Sequence, residues 1–158
     1  MIQFFMPMNP PRTTAQQKRV AVTESGKQVR FEGDSLKAAH QKLRAYAAPN
    51  RPPAPIEGAI RLVVKWCFLD KRCAHRHGAY KITRPDTDNL QKMLKDVMTE
   101  CRFWKDDAQV CSEIAEKFWV RERPGIYVEV HALGEIQDVD ADESGDVRRD
   151  RLCADGEG

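Results

Sequence analysis

An α/β domain with a mixed β-sheet and two main helices is the fold class this chain predicts, and three observations carry that expectation. Residues 60–68 alternate strictly, with Ile60, Leu62, Val64, Trp66 and Phe68 on one side and Arg61, Val63, Lys65 and Cys67 on the other. That is the two-residue period of a strand with one buried face. Leu90, Met93, Leu94, Val97, Met98 and Cys101 recur at spacings of three and four, the period of an amphipathic helix. The length of 158 residues suits one domain with an adequate core.

The remaining elements follow in chain order. IQFFM at the start reads as a first strand, too short and without the basic lead of a signal peptide, and Pro7, Pro10 and Pro11 end it. Lys18 to Thr23 and Val29 to Phe31 flank ESGK, a hairpin turn with Gly26 at its tip; a lone glycine and a GK pair do not make a phosphate-cradling loop. Asp34 or Ser35 caps a helix running to about Ala48, with Leu36, Ala39, Leu43, Tyr46 and Ala47 as its buried stripe. His40 lies beside that stripe, where a lone histidine is ordinarily packed or solvated. Four prolines between Pro49 and Pro55 make a stiff connector, which joins elements of one domain.

After the strand at 60–68 comes DKRCAHRHGAYK, leading through a short strand into the second helix. Cys73, His75 and His77 are three crowded metal-type ligands without a second cluster, so a basic loop is the expectation and zinc the minor alternative. Gln109 to Arg121 and Ile126 to Leu133 are strand-like, joined at Arg123, Pro124 and Gly125. Val110, Ile114, Phe118 and Val120 are expected to give the first its apolar face; Ile126, Val128 and Val130 serve the second. Trp119 and Tyr127 could stack on bases, but aromatic residues on strands are more often core or dimer contacts.

Charge divides the chain in two. From Glu135 to Gly158 there are nine acidic and three basic residues, while residues 1–134 carry 23 basic against 15 acidic groups. The domain at 1–134 is therefore basic, which suits phosphate-backbone binding but also fits many proteins that never touch nucleic acid, and 135–158 reads as an acidic, disordered tail. Five cysteines without paired spacing and no long apolar run lead us to expect a reduced, cytoplasmic chain that does not enter a membrane.

The chemistry concentrates in RPDTDNLQK, residues 84–92. Pro85 disfavours a helical Arg84, so a helix is expected to begin at about Asp88 and to run to about Arg102. Asp88 and Lys92 lie four apart on its exposed side. One acid would suffice as a cap; here Asp86 and Asp88 stand one residue apart, Lys92 follows a turn later, and Asp106 and Asp107 come shortly after the helix. Carboxylates gathered this way repel one another unless a cation neutralises them, and an all-oxygen set is what Mg²⁺ or Mn²⁺ prefers.

The run RPDTDNLQKMLKDVM, followed by FWKDDAQV and a strand, resembles the RusA family of Holliday junction resolvases. That resemblance implies a homodimeric, Mg²⁺-dependent endonuclease that cuts four-way DNA junctions by paired symmetrical hydrolysis; the oxygen donor set also admits Mn²⁺. It places the catalytic, metal-holding acids at Asp86, Asp88 and Asp107 and the essential lysine at Lys92, with Asp106 less critical. Lys71, Arg72, Arg76, Lys81 and Arg84 are the residues expected to grip phosphates beside the cut. The alternatives are a less selective flap or fork nuclease and a DNA-binding protein without catalysis. A helix from Asp88 to Arg102 would span roughly 20 Å, more than Phe103 to Asp107 can return at full stretch, so each site is expected to draw Asp107 from the partner subunit.

Overall fold

The alternation and periodicity above translate into a two-layer α/β domain. The computed structural model describes residues 1–12, 19–22, 28–31 and 34–134, with the segments 19–22 and 28–31 described by their backbone alone. The elements are β1 (Ile2–Met6), β2 (Arg19–Val22), β3 (Gln28–Phe31), α1 (Asp34–Ala47), β4 (Ala59–Leu69), α2 (Thr87–Glu100), β5 (Val110–Val120) and β6 (Gly125–Leu133). A mixed sheet of order β1-β6-β4-β5 forms the first layer, and β2 and β3 pair separately as an antiparallel hairpin. The ESGK turn and the acidic segment 135–158 lie outside the described residues. Among the described residues no helix is long and apolar enough to cross a membrane.

The core lies between the sheet and the two helices. Ile60, Leu62, Val64, Trp66 and Phe68 of β4 are buried, as the alternation requires, with Ile126, Val128 and Val130 of β6 and Phe4 and Met6 of β1 beside them. Leu36, Leu43 and Ala47 of α1 and Leu90, Met93, Leu94, Val97 and Met98 of α2 close the layer from above. The other face of the sheet is partly solvated and mixed: Phe5 and Ile114 are exposed on it, while the Tyr127 hydroxyl donates to Glu129 and His131 contacts the same carboxylate at 2.9 Å. Leu94, with no exposed surface, sits in the middle of this layer. Leu94→Ala is expected to lower stability by about 2–5 kcal/mol, read as a shifted urea midpoint with an unchanged slope.

Strand β5 departs from the expected face. It pairs with β4 in parallel, and the register slips by one residue between Ile60 and Arg61: Ile60 faces Val110, but Arg61 faces Ser112. The extra residue, Cys111, reverses the phase of everything after it. Glu113, Ala115, Lys117 and Trp119 therefore stand beside the buried side chains of β4. Ile114, expected in the core, is exposed, and Phe118 is only half-buried. Val120 is the residue of the expected set that is buried.

Helix α2 also ends earlier than Arg102. Its last residue is Glu100, and Arg102 takes a left-handed conformation with φ 65°. Arg102 N–H donates to Thr99 and Phe103 N–H reaches back to Met98 at 3.0 Å, a paired closure of the last orphan carbonyls. Glycine usually occupies that left-handed position; arginine does so here, which left no glycine in the sequence to mark the stop.

Candidate active site

The motif at 84–92 lies where the segment after β4 enters α2. Asp86 is the N-terminal cap residue, extended at φ −76°, ψ 149°, and its carbonyl accepts from Leu90 N–H at 3.2 Å. Its carboxylate makes no capping hydrogen bond. The helix thus starts at Thr87, one residue before the expected Asp88, and the acid at its mouth is not used as a cap. Asp86 and Asp88 are both exposed, side by side at the positive end of the α2 dipole, which offsets part of their mutual repulsion.

Lys92, one turn further on and exposed, opens into a groove between α1 and α2 of about 720 Å³. Lys37, His40 and Gln41 line the groove from α1, Lys92 and Asp96 from α2, and Lys105, Asp106 and Asp107 from the segment beyond. At the far end His40 Nε2 lies 3.4 Å from Glu100. Among the described ion pairs none joins Asp88 to Lys92, so Lys92 is not held to its helical neighbour.

The two adjacent acids beyond the helix have different surroundings. Asp106 caps a single turn at Asp107–Gln109: its carboxylate accepts from Ala108 N–H at 2.8 Å, and Gln109 answers by accepting from Asp106 N–H at 3.1 Å. Gln109 also donates to the carbonyls of Ile56 and Gly58, anchoring the turn to the start of β4. Asp107 is exposed beside it. Among the described residues no three His, Cys, Asp or Glu side chains are grouped to hold a metal ion. Asp86 and Asp88 stand together at the mouth of α2, and Asp107 lines the groove into which Lys92 opens.

Of the basic residues, Lys71, Arg72, Arg76 and Arg84 are exposed. Asp70, buried at the end of β4, shapes their loop by accepting from Arg72 N–H at 3.2 Å and His75 N–H at 2.7 Å. Burial works to raise the Asp70 pKa, but the hydrogen bonds from His75 and Arg72 outweigh it and hold the carboxyl below its ordinary value. His75 stacks on Trp119 with ring centroids 4.8 Å apart, and His77 accepts from Arg121 N–H.

Lys81 does not join the exposed set. Only 6% of it is exposed; its ammonium lies 4.6 Å from the Trp119 ring and 5.2 Å from Phe68 and donates to the carbonyls of Thr83 and Arg84. Burial, then the charges of Lys117 and Arg12, push its pKa down. The reason is again the one-residue slip in β5, which turns Trp119 inward as a platform for this side chain.

Two participants had no signal in the sequence. Gln91, buried inside the motif, accepts from Trp66 Nε1 at 3.1 Å and donates to Glu113 at 2.8 Å, tying α2 to β4 and β5. Lys117 donates to the carbonyls of Thr83 at 3.0 Å and Pro85 at 2.7 Å. It comes from a strand more than thirty residues away, brought there by β4–β5 pairing and by the bridge between Tyr80 and Phe118.

Comparison with known proteins bears on this arrangement. A crossover junction endodeoxyribonuclease rusA from Lactococcus phage r1t is 36% identical over 70 residues, which are 43% of this chain and 53% of the relative. The match thus spans about half the length of that curated relative. Residues 7–131, most of the described domain, match the family Endodeoxyribonuclease RusA. A chain matched over that span, with the motif at the mouth of α2, belongs to the RusA family.

Proposed function

We propose that this protein is a divalent-metal-dependent endodeoxyribonuclease that resolves Holliday junctions, and that it acts as a homodimer. One observation carries the reading: two carboxylates, Asp86 and Asp88, stand exposed at the entry of α2 with Lys92 one turn inside. The donor set suits a hard ion such as Mg²⁺ or Mn²⁺, being all oxygen and at least twice negative. Asp107, free of the capping duty that occupies Asp106, is the third ligand in this reading, supplied by the partner subunit.

When bound, such an ion supplies charge neutralisation at the scissile phosphate and a lowered pKa for attacking water. The chain's own part is positioning. Asp86 and Asp88 would hold the ion, and Lys92 would stabilise charge on the displaced oxygen. Lys71, Arg72, Arg76 and Arg84 steady the flanking backbone as phosphate contacts. A four-way junction needs two symmetrical cuts, and a two-fold dimer offers two related sites. The deciding experiment is cleavage of end-labelled four-way junctions, flaps and forks with and without Mg²⁺. Metal-dependent paired cutting of the junction supports the reading; equal cutting of all three substrates points to a general branch nuclease, and binding without cutting to a DNA-binding protein.

Lys92→Ala separates catalysis from grip. We expect its single-turnover rate at saturating enzyme to fall by about a hundredfold or more, with junction affinity changed far less. A lysine that only contacts phosphate would instead weaken binding and flatten the salt dependence by about one unit of slope, leaving that rate intact.

A further inference from the structure

Two lysine ammoniums converge on three consecutive carbonyls immediately before the acid motif. Lys81 Nζ donates to Thr83 O at 3.0 Å and Arg84 O at 2.6 Å, and also to the Thr83 hydroxyl. Lys117 Nζ donates to the same Thr83 O at 3.0 Å and to Pro85 O at 2.7 Å. Every carbonyl from Thr83 to Pro85 is thereby fixed, and the next residue is Asp86. We propose that Lys81 and Lys117 are positioning residues, a backbone clamp that sets the direction from which Asp86 and Asp88 enter the metal site. The metal part of this statement rests on the nuclease reading above.

Physical chemistry favours a clamp over a phosphate contact. An ammonium has three donors and no acceptor, so it can bind several carbonyls at once, as both side chains do here. Lys81 is inaccessible to DNA in this arrangement, lying between the Trp119 and Phe68 rings and the 83–84 backbone. Burying a cation beside a second one is costly unless both are well bonded, and among their described contacts the bonds go to carbonyl oxygens, with one hydroxyl. The clamp also has a rigid base. Lys117 stands on β5 opposite Trp66 of β4, and Lys81 is tied through its own N–H to Lys117 O at 2.8 Å. The motif is thus held to the sheet, not left on a free loop. Two positive charges behind the segment further reduce the repulsion between Asp86 and Asp88 before an ion arrives.

Lys117→Met, which keeps length and removes all donors, is the test, with Lys117→Arg as the conservative rescue and Lys81→Met as an independent second variant. Hydrogen exchange on the full chain reads the clamp without reference to metal or DNA. Exchange should rise about tenfold in peptides covering 82–88 while β4 and β6 stay protected. Mn²⁺ binding, followed by electron paramagnetic resonance of the free ion, should weaken about tenfold or more, junction affinity without metal should hold, and Lys117→Arg should restore most of both. The proposal is overturned if exchange at 82–88 and Mn²⁺ affinity are unchanged while junction affinity falls and its salt slope flattens by about 0.9. It is equally overturned if exchange rises throughout the sheet and the melting temperature drops without a separate effect on Mn²⁺. If the unaltered protein neither binds Mn²⁺ nor cuts junctions, yet 82–88 loosens in Lys117→Met, the nuclease reading fails and the clamp stands.

Discussion

Asp88→Asn is expected to reduce junction cleavage by about a thousandfold or more, equivalent to about 4 kcal/mol of barrier, while junction binding survives or tightens. The asymmetry comes from charge. Asp88 is exposed in the first turn of α2, so an amide of the same shape disturbs neither the core nor the helix start. What changes is one negative charge at a place where, in our reading, both an ion and a phosphate must come. Without that charge the ion is held less firmly, but DNA approaches a less repulsive surface. Gel-shift affinity in a metal-free buffer and single-turnover cleavage in Mg²⁺ measure the two halves separately. A variant that cuts at the normal rate would reduce Asp88 to a residue that merely suits the positive end of a helix.

How much of this was legible in the sequence depends on the distance over which each signal acts. The buried face of β4 could be read directly, because alternation is a local property and the strand lies between two neighbours beneath a helix layer. The apolar face of α2 was legible for the same reason. The face of β5 was not: one extra residue at Cys111 reverses its phase, and no residue type in VCSEIAEKFWV announces a bulge. That single slip decides most of what was missed. It turns Lys117 toward the motif, makes Trp119 the platform that draws Lys81 inward, and leaves Ile114 outside. Lys81 looked like its neighbours Lys71 and Arg76 in a basic run, and only the pairing of β5 with β4 distinguishes it from them. At the site itself, the acids and Lys92 were legible as types and spacings. That Asp106 is the less critical of the pair was read from family resemblance alone; in the structure Asp106 caps a turn and Asp107 is exposed beside it.

The arrangement of Asp107 leads to the sharpest expected result: two dead variants, Asp88→Asn and Asp107→Asn, should recover nicking when mixed and allowed to exchange subunits. A helix reaching Arg102 would put Asp107 beyond easy reach of its own chain's Asp88. In fact α2 stops at Glu100, so the return path to Asp107 is longer and the helix shorter, and chain length alone no longer forbids a site within one chain. Asp107 lines the groove with Lys92 and Asp96 of its own chain, so the exchange experiment decides between a site shared across the two-fold axis and one completed within the chain. A partner whose α2 runs antiparallel across the two-fold axis would bring its own Asp107 to the exposed pair Asp86 and Asp88. In a mixed dimer, both substitutions then fall in one site and the other site is whole. With equal mixing about half the dimers are mixed, so about a quarter of all sites should be active, and each mixed dimer should nick a junction without making the paired cut. A nicked-junction product appearing only after exchange, absent from either variant alone, is the expected readout. If each chain instead completes its own site, every site in the mixture carries a substitution, and no nicking returns at any mixing ratio.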